Sequence, residues 1–158
     1  MPMIDAYIPE GALRPEAENS LLNRLTDLLM TWEGFDPADP AMREVSWVFL
    51  HRPAAVYVGG VPADAPRYKI VTSVPEGQFT AASRAGVVAD VTAAVLDAEE
   101  GRRPRDDSRV WVFPTDVPEG HWGGRGHIVH LAEILSRTFD AEQAKALAEE
   151  RIAASRAE

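Results

Sequence analysis

Pro2 is the residue of this chain with the least ordinary chemistry open to it. Removal of Met1 would leave it as a chain-terminal secondary amine, held by a rigid ring at the head of the extended run Met3-Ile4-Asp5-Ala6-Tyr7-Ile8. In an apolar cleft the charged form of such an amine is disfavoured, its pKa falls, and a free lone pair is present at neutral pH. Pro2 is therefore a candidate general base. A small anionic substrate beside it would need local arginine, and Arg52, Arg67, Arg109 and Arg125 are the candidates. Arg125 lies in a glycine-dense turn running from Thr115 to Gly126, close after Trp122, which places it at the mouth of a pocket. His121, His127 and His130 are near neighbours, but the glycines and arginine between them keep three imidazoles off one helix face, and no metal is expected. Neither Gly59-Gly60 nor Gly123-Gly124 is followed by Lys-Ser/Thr or sits in a dinucleotide fingerprint, so a phosphate loop is not expected.

These residues sit on a chain of 158 residues, one ordinary domain in size, and 46% hydrophobic content supplies a core without staples. Cysteine is absent, which removes disulfides, thiolate nucleophiles and thiolate metal sites together. A formal net charge of −9 argues against nucleic acid and anionic membrane as partners. No run has the length of a membrane span and the start lacks a signal-peptide pattern, so a cytoplasmic location is expected.

The elements that must position the site repeat. Pro9-Glu10-Gly11 is answered by Pro75-Glu76-Gly77, 66 positions on, and each triplet follows an extended run and precedes a helical pattern. In the first half a helix is expected from Pro15, with Glu16 and Glu18 at its positive end and Leu21, Leu22, Leu25, Leu28, Leu29 and Trp32 as its apolar stripe, stopped at Gly34. Val45 to Leu50 reads as a strand buried on both faces, Val56-Tyr57-Val58 as a short extended piece, and Val61 to Pro66 as the linker between halves. The second half opens with the strand Arg67 to Thr72, caps a helix with Thr80, buries Val87, Val88, Val91, Ala94, Val95 and Ala98, and closes with the strand Val110 to Phe113. Two β-α-β halves, 2–60 and 67–126, are therefore expected, plus a helical tail, 127–158, in which Ile128, Leu131, Ile134 and Leu135 make a short helix and Ala141 to Glu158 forms a helix at a surface or interface rather than in a site. Trp32, Trp47 and Trp111 are expected in the core or in a subunit interface.

With a proline at position two, two β-α-β halves and the turn Thr115-Asp116-Val117-Pro118-Glu119-Gly120-His121-Trp122-Gly123-Gly124-Arg125-Gly126, the chain resembles the tautomerase superfamily, typified by 4-oxalocrotonate tautomerase. Its length is similar to that of the double-length members. The resemblance covers residues 2 to about 135. It implies an α/β (α+β) fold with a four-stranded sheet backed by two helices on one face, and a homotrimer. Pro2 matches the catalytic proline, and Trp122 the aromatic residue that keeps the amine dry. Gln78 falls where short members place a substrate-binding arginine, although an amide cannot neutralise a carboxylate. A second family arginine aligns near Trp111, two places from Arg109, and Phe113 aligns with a tyrosine of the dehalogenases, so dehalogenation is not expected. Glu44 falls close to an aspartate of the decarboxylase. The expected activity is cofactor-independent tautomerisation of a small 2-hydroxy- or 2-oxo-carboxylate. Pro2 would be base and acid, Arg109 or Arg125 would hold the carboxylate, and Gln78 would bond the oxyanion. The alternatives are a decarboxylase or hydratase of the same superfamily, or a non-catalytic trimeric binding protein.

Overall fold

A computed structural model describes residues 2–157. Strand β1 (Met3–Tyr7) leads through the Pro-Glu-Gly turn into helix α1 (Pro15–Trp32). Pro15 starts α1, as the missing N–H of proline favours, and Gly34 ends it with φ +83°. A short helix α2 (Pro40–Glu44) precedes strand β2 (Trp47–His51), which pairs parallel to β1. The second half repeats the order with β5 (Tyr68–Pro75), α3 (Ala81–Asp97) and β6 (Val110–Val117), β6 parallel to β5. Thr80 and Ser83 cap α3 reciprocally, each side-chain oxygen accepting the other's backbone N–H at 3.2 and 2.7 Å. The segment expected as a bare linker instead holds half of a hairpin, β3 (Tyr57–Val58) with β4 (Val61–Pro62), because Gly59 and Gly60 both take positive φ and allow a tight reversal.

The two halves meet antiparallel through β1 and β5, giving the sheet order β2-β1-β5-β6. Asp5 lies opposite Val71, its counterpart 66 positions on, and the pairing is symmetric about that contact: Met3 faces Ser73, and Tyr7 faces Lys69. The duplication read from the turns is therefore also a spatial pseudo-twofold. Alternate residues Ile4, Ala6 and Ile8 of the first half, and Ile70, Thr72 and Val74 of the second, point into one layer and are buried beneath α1 and α3. From the helices come Leu21, Leu25 and Leu29, matched by Val87, Val91 and Val95. Val88, expected in the core, is partly exposed, because it sits one position off that stripe. Where the helices cross, Gly86 meets the Trp32 ring so closely that a Cβ there would clash with it.

Among the described residues, the other sheet face carries no helix. Trp47 and Phe49 on β2 stack edge to face with centroids 6.3 Å apart, and Trp111 and Phe113 on β6 do the same at 6.4 Å. Trp47 is 61% and Trp111 67% exposed. The apolar run around β2 is thus covered on one side only within the single chain.

After β6, a hairpin of β7 (Gly123–Gly124) and β8 (His127–Ile128) leads to the short helix α4 (Leu131–Leu135) and the long α5 (Ala141–Ala157). These build a second core in which Leu131, Ile134, Leu135, Ala144 and Ala148 pack with Met30, Phe35 and Met42 of the first half. The tail is not peripheral. Arg151 and Arg156 of α5 donate to Gln78 and Glu76, and Gly77 leaves room for the α5 backbone, with its own Cβ position only 3.0 Å from Arg151 C and Ile152 N.

Candidate active site

Pro2 is buried at the head of β1, and its carbonyl accepts the Trp47 N–H at 3.1 Å, so β2 fixes its place. Beside it opens a cavity of about 380 Å³, with a mostly apolar wall. Val45, Trp122, Val129 and Ile134 furnish that wall, and all four also belong to the second core. The cavity is therefore built between the first strand and the C-terminal segment. Glu119 anchors that segment, its carboxylate accepting the Leu131 N–H at 3.2 Å and meeting His130 Nδ1 at 2.7 Å.

Arg125 lines the cavity from the tip of the β7–β8 hairpin. It and Gly126 take φ +52° and +83°, the left-handed pair that a two-residue hairpin turn requires. That conformation costs a non-glycine residue about 1–2 kcal/mol. The turn thus spends a residue other than glycine or asparagine at a position that lines the cavity.

Arg137, just past α4, lines the same cavity, with His121 and Glu133. Among the described residues, eleven of the fourteen arginines donate a side-chain hydrogen bond or ion pair to the protein. Arg102, Arg125 and Arg137 do not. Two of these three face one apolar cavity in a chain of net charge −9, where an uncommitted guanidinium is available to an anion.

Of the residues singled out from the sequence, Pro2, Trp122 and Arg125 come together here, and Gln78, Arg109, Phe113 and Glu44 do not line the cavity. Arg109 is only 4% exposed and holds Glu99 at 2.5 and 2.6 Å. Glu99 also accepts the Tyr68 hydroxyl at 2.8 Å. The arginine beside it holds the Glu99 carboxyl below the usual range, while burial pushes the Tyr68 phenol up. Arg109 precedes β6 in a 3-10 turn and points inward, so it lies off the strand face on which Trp111 is exposed. Gln78 is buried, donates to Glu33 at 3.1 Å and accepts from Arg151 at 2.7 Å, so its amide is committed within the core. Phe113 stands on the open sheet face. Glu44 is exposed at the end of α2. Arg52 and Arg67 pair with Glu18 and Asp64.

Sequence reasoning missed Arg137 and Glu133. The only trace of them was the Leu131, Ile134, Leu135 stripe, which said that α4 docks but not onto what. His127 meets Glu133 at 3.3 Å, and among the described residues no three His, Asp or Glu side chains converge on a metal position. Also among these residues, no helix is long and apolar enough to cross a membrane.

No protein-family model matches the chain, and no curated protein sequence matches it. Solved structures do. A member of the cis-3-chloroacrylic acid dehalogenase family, N1, superposes with TM-score 0.66 at 16% identity over 93% of this chain and 99% of its own. The wild-type F6 fused 4-OT, an asymmetric trimer, gives 0.65 at 19% identity over 80% of this chain and 94% of its own. The fold is that of the double-length tautomerases. Pt0534, in its form inactivated by 2-oxo-3-pentynoate, gives 0.64 at 23% identity over 80% and 94% of the two chains. The tautomerase fold thus extends through both β-α-β halves, and at these identities the likeness is one of architecture.

Proposed function

We propose that the protein is a cofactor-independent tautomerase of a small 2-hydroxy- or 2-oxo-carboxylate, with Pro2 as base and acid. The observation that carries this reading is a buried Pro2 against an apolar cavity that also holds two uncommitted arginines. After removal of Met1, the neutral Pro2 nitrogen takes a proton from the enol hydroxyl or from the carbon beside the carbonyl. The resulting ammonium returns that proton to the other terminus of the delocalised anion, so protons and electrons balance without an added reagent. Arg125 and Arg137 hold the substrate carboxylate and favour the charge that builds on its oxygen. Trp122, Val129 and Ile134 exclude water and lower the basicity of the amine by disfavouring its charge.

Assembly as a homotrimer fits the same reading. Exposed aromatic pairs at both ends of a helix-free sheet face are apolar area that a partner subunit covers, and a fused 4-OT of this fold is a trimer.

Two measurements test the proposal. Intact mass of the cell-made protein is expected to lack Met1, and incubation with 2-oxo-3-pentynoate is expected to add one reagent mass at Pro2, by addition of its nitrogen to the conjugated triple bond. Phenylenolpyruvate or 2-hydroxymuconate is expected to convert from enol to keto form without loss of carbon dioxide, and Pro2→Ala to slow that conversion. A retained Met1 removes the reading.

Glu133 in the cavity favours one second reading, in which a carboxylate activates water for hydration or assists decarboxylation of a 3-oxo acid. Release of carbon dioxide or uptake of water by the product separates it from isomerisation.

A further inference from the structure

The 66-residue repeat holds without insertion from β1 to the end of α1. Pro15 and Ala81 begin the two helices, Leu25 matches Val91, Leu29 matches Val95, and the positive φ of Gly34 is matched at Glu100. Within that frame Glu33 corresponds to Glu99, and each is only 2% exposed. Pro2 corresponds to Tyr68, and both are buried. A buried glutamate at the end of each helix is unusual enough to require a partner. In the second half Glu99 is held by Arg109 at 2.5 and 2.6 Å and also accepts the hydroxyl of Tyr68, the first residue of its strand, at 2.8 Å. The geometry behind this is general to a β-α-β unit, since the helix runs back along the strand and its last turn returns to the strand's first residue.

We propose that Glu33 is the counter-charge of the Pro2 amine, a buried carboxylate that faces Pro2 at the head of β1 as Glu99 faces Tyr68 at the start of β5. This inference rests on the reading of Pro2 as a free amine. Even-numbered residues of β1 point to the helix layer, which directs the Pro2 ring toward the end of α1. The Pro2 nitrogen is a main-chain atom, so a carboxylate set to receive a hydroxyl at the tip of a tyrosine stands off it by about the length of that side chain, a separation that a charge-charge interaction spans. Glu33 is held there by Gln78, whose Nε2 donates to it at 3.1 Å, and Gln78 is held in turn by Arg151 of α5 at 2.7 Å. Met30 and Phe35, on either side of Glu33 in sequence, pack in the same core as the cavity wall.

Glu33 is a positioning residue in this arrangement. Burial is the largest influence on its pKa and raises it. On the cavity side, the charged and titratable groups near Pro2 are His121, Arg125, Glu133 and Arg137. The apolar cavity lowers the basicity of the amine and the ionised Glu33 raises it, so the pair sets the pH at which the lone pair becomes free.

The test is the pH dependence of carbamoylation of Pro2 by cyanate, read by peptide mass. The unprotonated nitrogen adds to isocyanic acid with no leaving group, and exposed Lys145 serves as internal reference. In Glu33→Gln the midpoint for Pro2 is expected to fall by about 1–3 pH units, with the Lys145 profile unmoved, whereas Glu33→Asp, which keeps the charge, stays near wild type. A midpoint unchanged in Glu33→Gln overturns the inference and leaves the tautomerase reading intact. Retention of Met1 in the cell-made protein overturns both. Should Glu33→Gln not fold, the side-chain carboxyl carbon resonance of Glu33 in the wild-type protein is expected to step at the Pro2 midpoint, and its absence there overturns the pairing.

Discussion

Arg109 holds Glu99 through two parallel bonds of 2.5 and 2.6 Å inside a layer from which water is excluded. Removing one member of such a pair strands the other as a buried charge, at a cost of about 3–5 kcal/mol. Arg109→Ala is therefore expected to lower the melting temperature steeply and to leave the KM of any surviving folded fraction unchanged. Arg137→Gln is expected to do the reverse: stability stays within about 0.5 kcal/mol, as for surface changes, and KM for a 2-oxo-carboxylate rises about ten- to a hundredfold through loss of a charged hydrogen bond. Calorimetry and steady-state kinetics on the two variants check the contrast. A KM effect in Arg109→Ala alone would return the carboxylate to that residue.

Glu76 supplies a pH signature. Its carboxylate accepts from Arg156 at 2.7 and 3.1 Å and from the Glu119 N–H at 2.8 Å, and the arginine contact holds its pKa down at about 2, against an ordinary 4.5. A carboxyl depressed in the folded state stabilises it above the ordinary value and loses that contribution as pH falls. The window is thus about pH 4.5 down to about 2. Glu76→Gln is expected to be less stable than wild type at pH 7, with the difference shrinking across that window. Denaturant midpoints from pH 7 to pH 2 check it, and a constant difference would assign Glu76 a purely steric role.

What could be read from the sequence was whatever local physics decides. Pro15, Thr80 and the twin Pro-Glu-Gly turns fixed where strands gave way to helices, and the repeat implied the pseudo-twofold that the pairing of Asp5 with Val71 displays. Pro2, Trp122 and Arg125 share a cavity because each is placed by a short-range feature: a strand start, a wall residue beside a tight hairpin, a left-handed turn tip. Residue spacing alone could not say which arginines are already spent. That depends on partners distant in sequence, such as Arg14 with Glu100 or Arg84 with Asp116, and on the inward face taken by Arg109. Arg137 stayed hidden for the same reason, since only the packing of α4 against the first half brings it to Pro2.

The open face of the sheet makes a prediction about assembly. Trp111 and Phe113 on one edge strand and Trp47 and Phe49 on the other are rigid aromatic anchors, the kind of residue that dominates association energy. Trp47 also lines the cavity, so Trp111 isolates assembly from catalysis. Trp111→Lys is expected to weaken self-association by at least about thirtyfold, the equivalent of a 2 kcal/mol hot spot. Sedimentation across a concentration series should show the proposed trimer giving way to monomer. An unchanged oligomer would move the subunit contact elsewhere.

Gly77 decides whether the C-terminal helix can dock. Its φ of +89° lies in the region open to glycine, and an added methyl would meet the α5 backbone at 3.0 Å, where no side-chain rotation relieves the contact. Gly77→Ala is therefore expected to push α5 away, at a cost of about 1–3 kcal/mol. With it go the Arg151–Gln78 and Arg156–Glu76 bonds. Hydrogen exchange is expected to accelerate across Ala141–Ala157 while the amides of β1 and β5 keep their protection, because the first core includes no residue of α5. Release of Arg151 also loosens the hold on Gln78 and through it on Glu33, so the Pro2 titration midpoint should move in this variant although Gly77 does not line the cavity. Faster exchange in α5 with an unmoved midpoint would show that the helix braces the fold without reaching the amine.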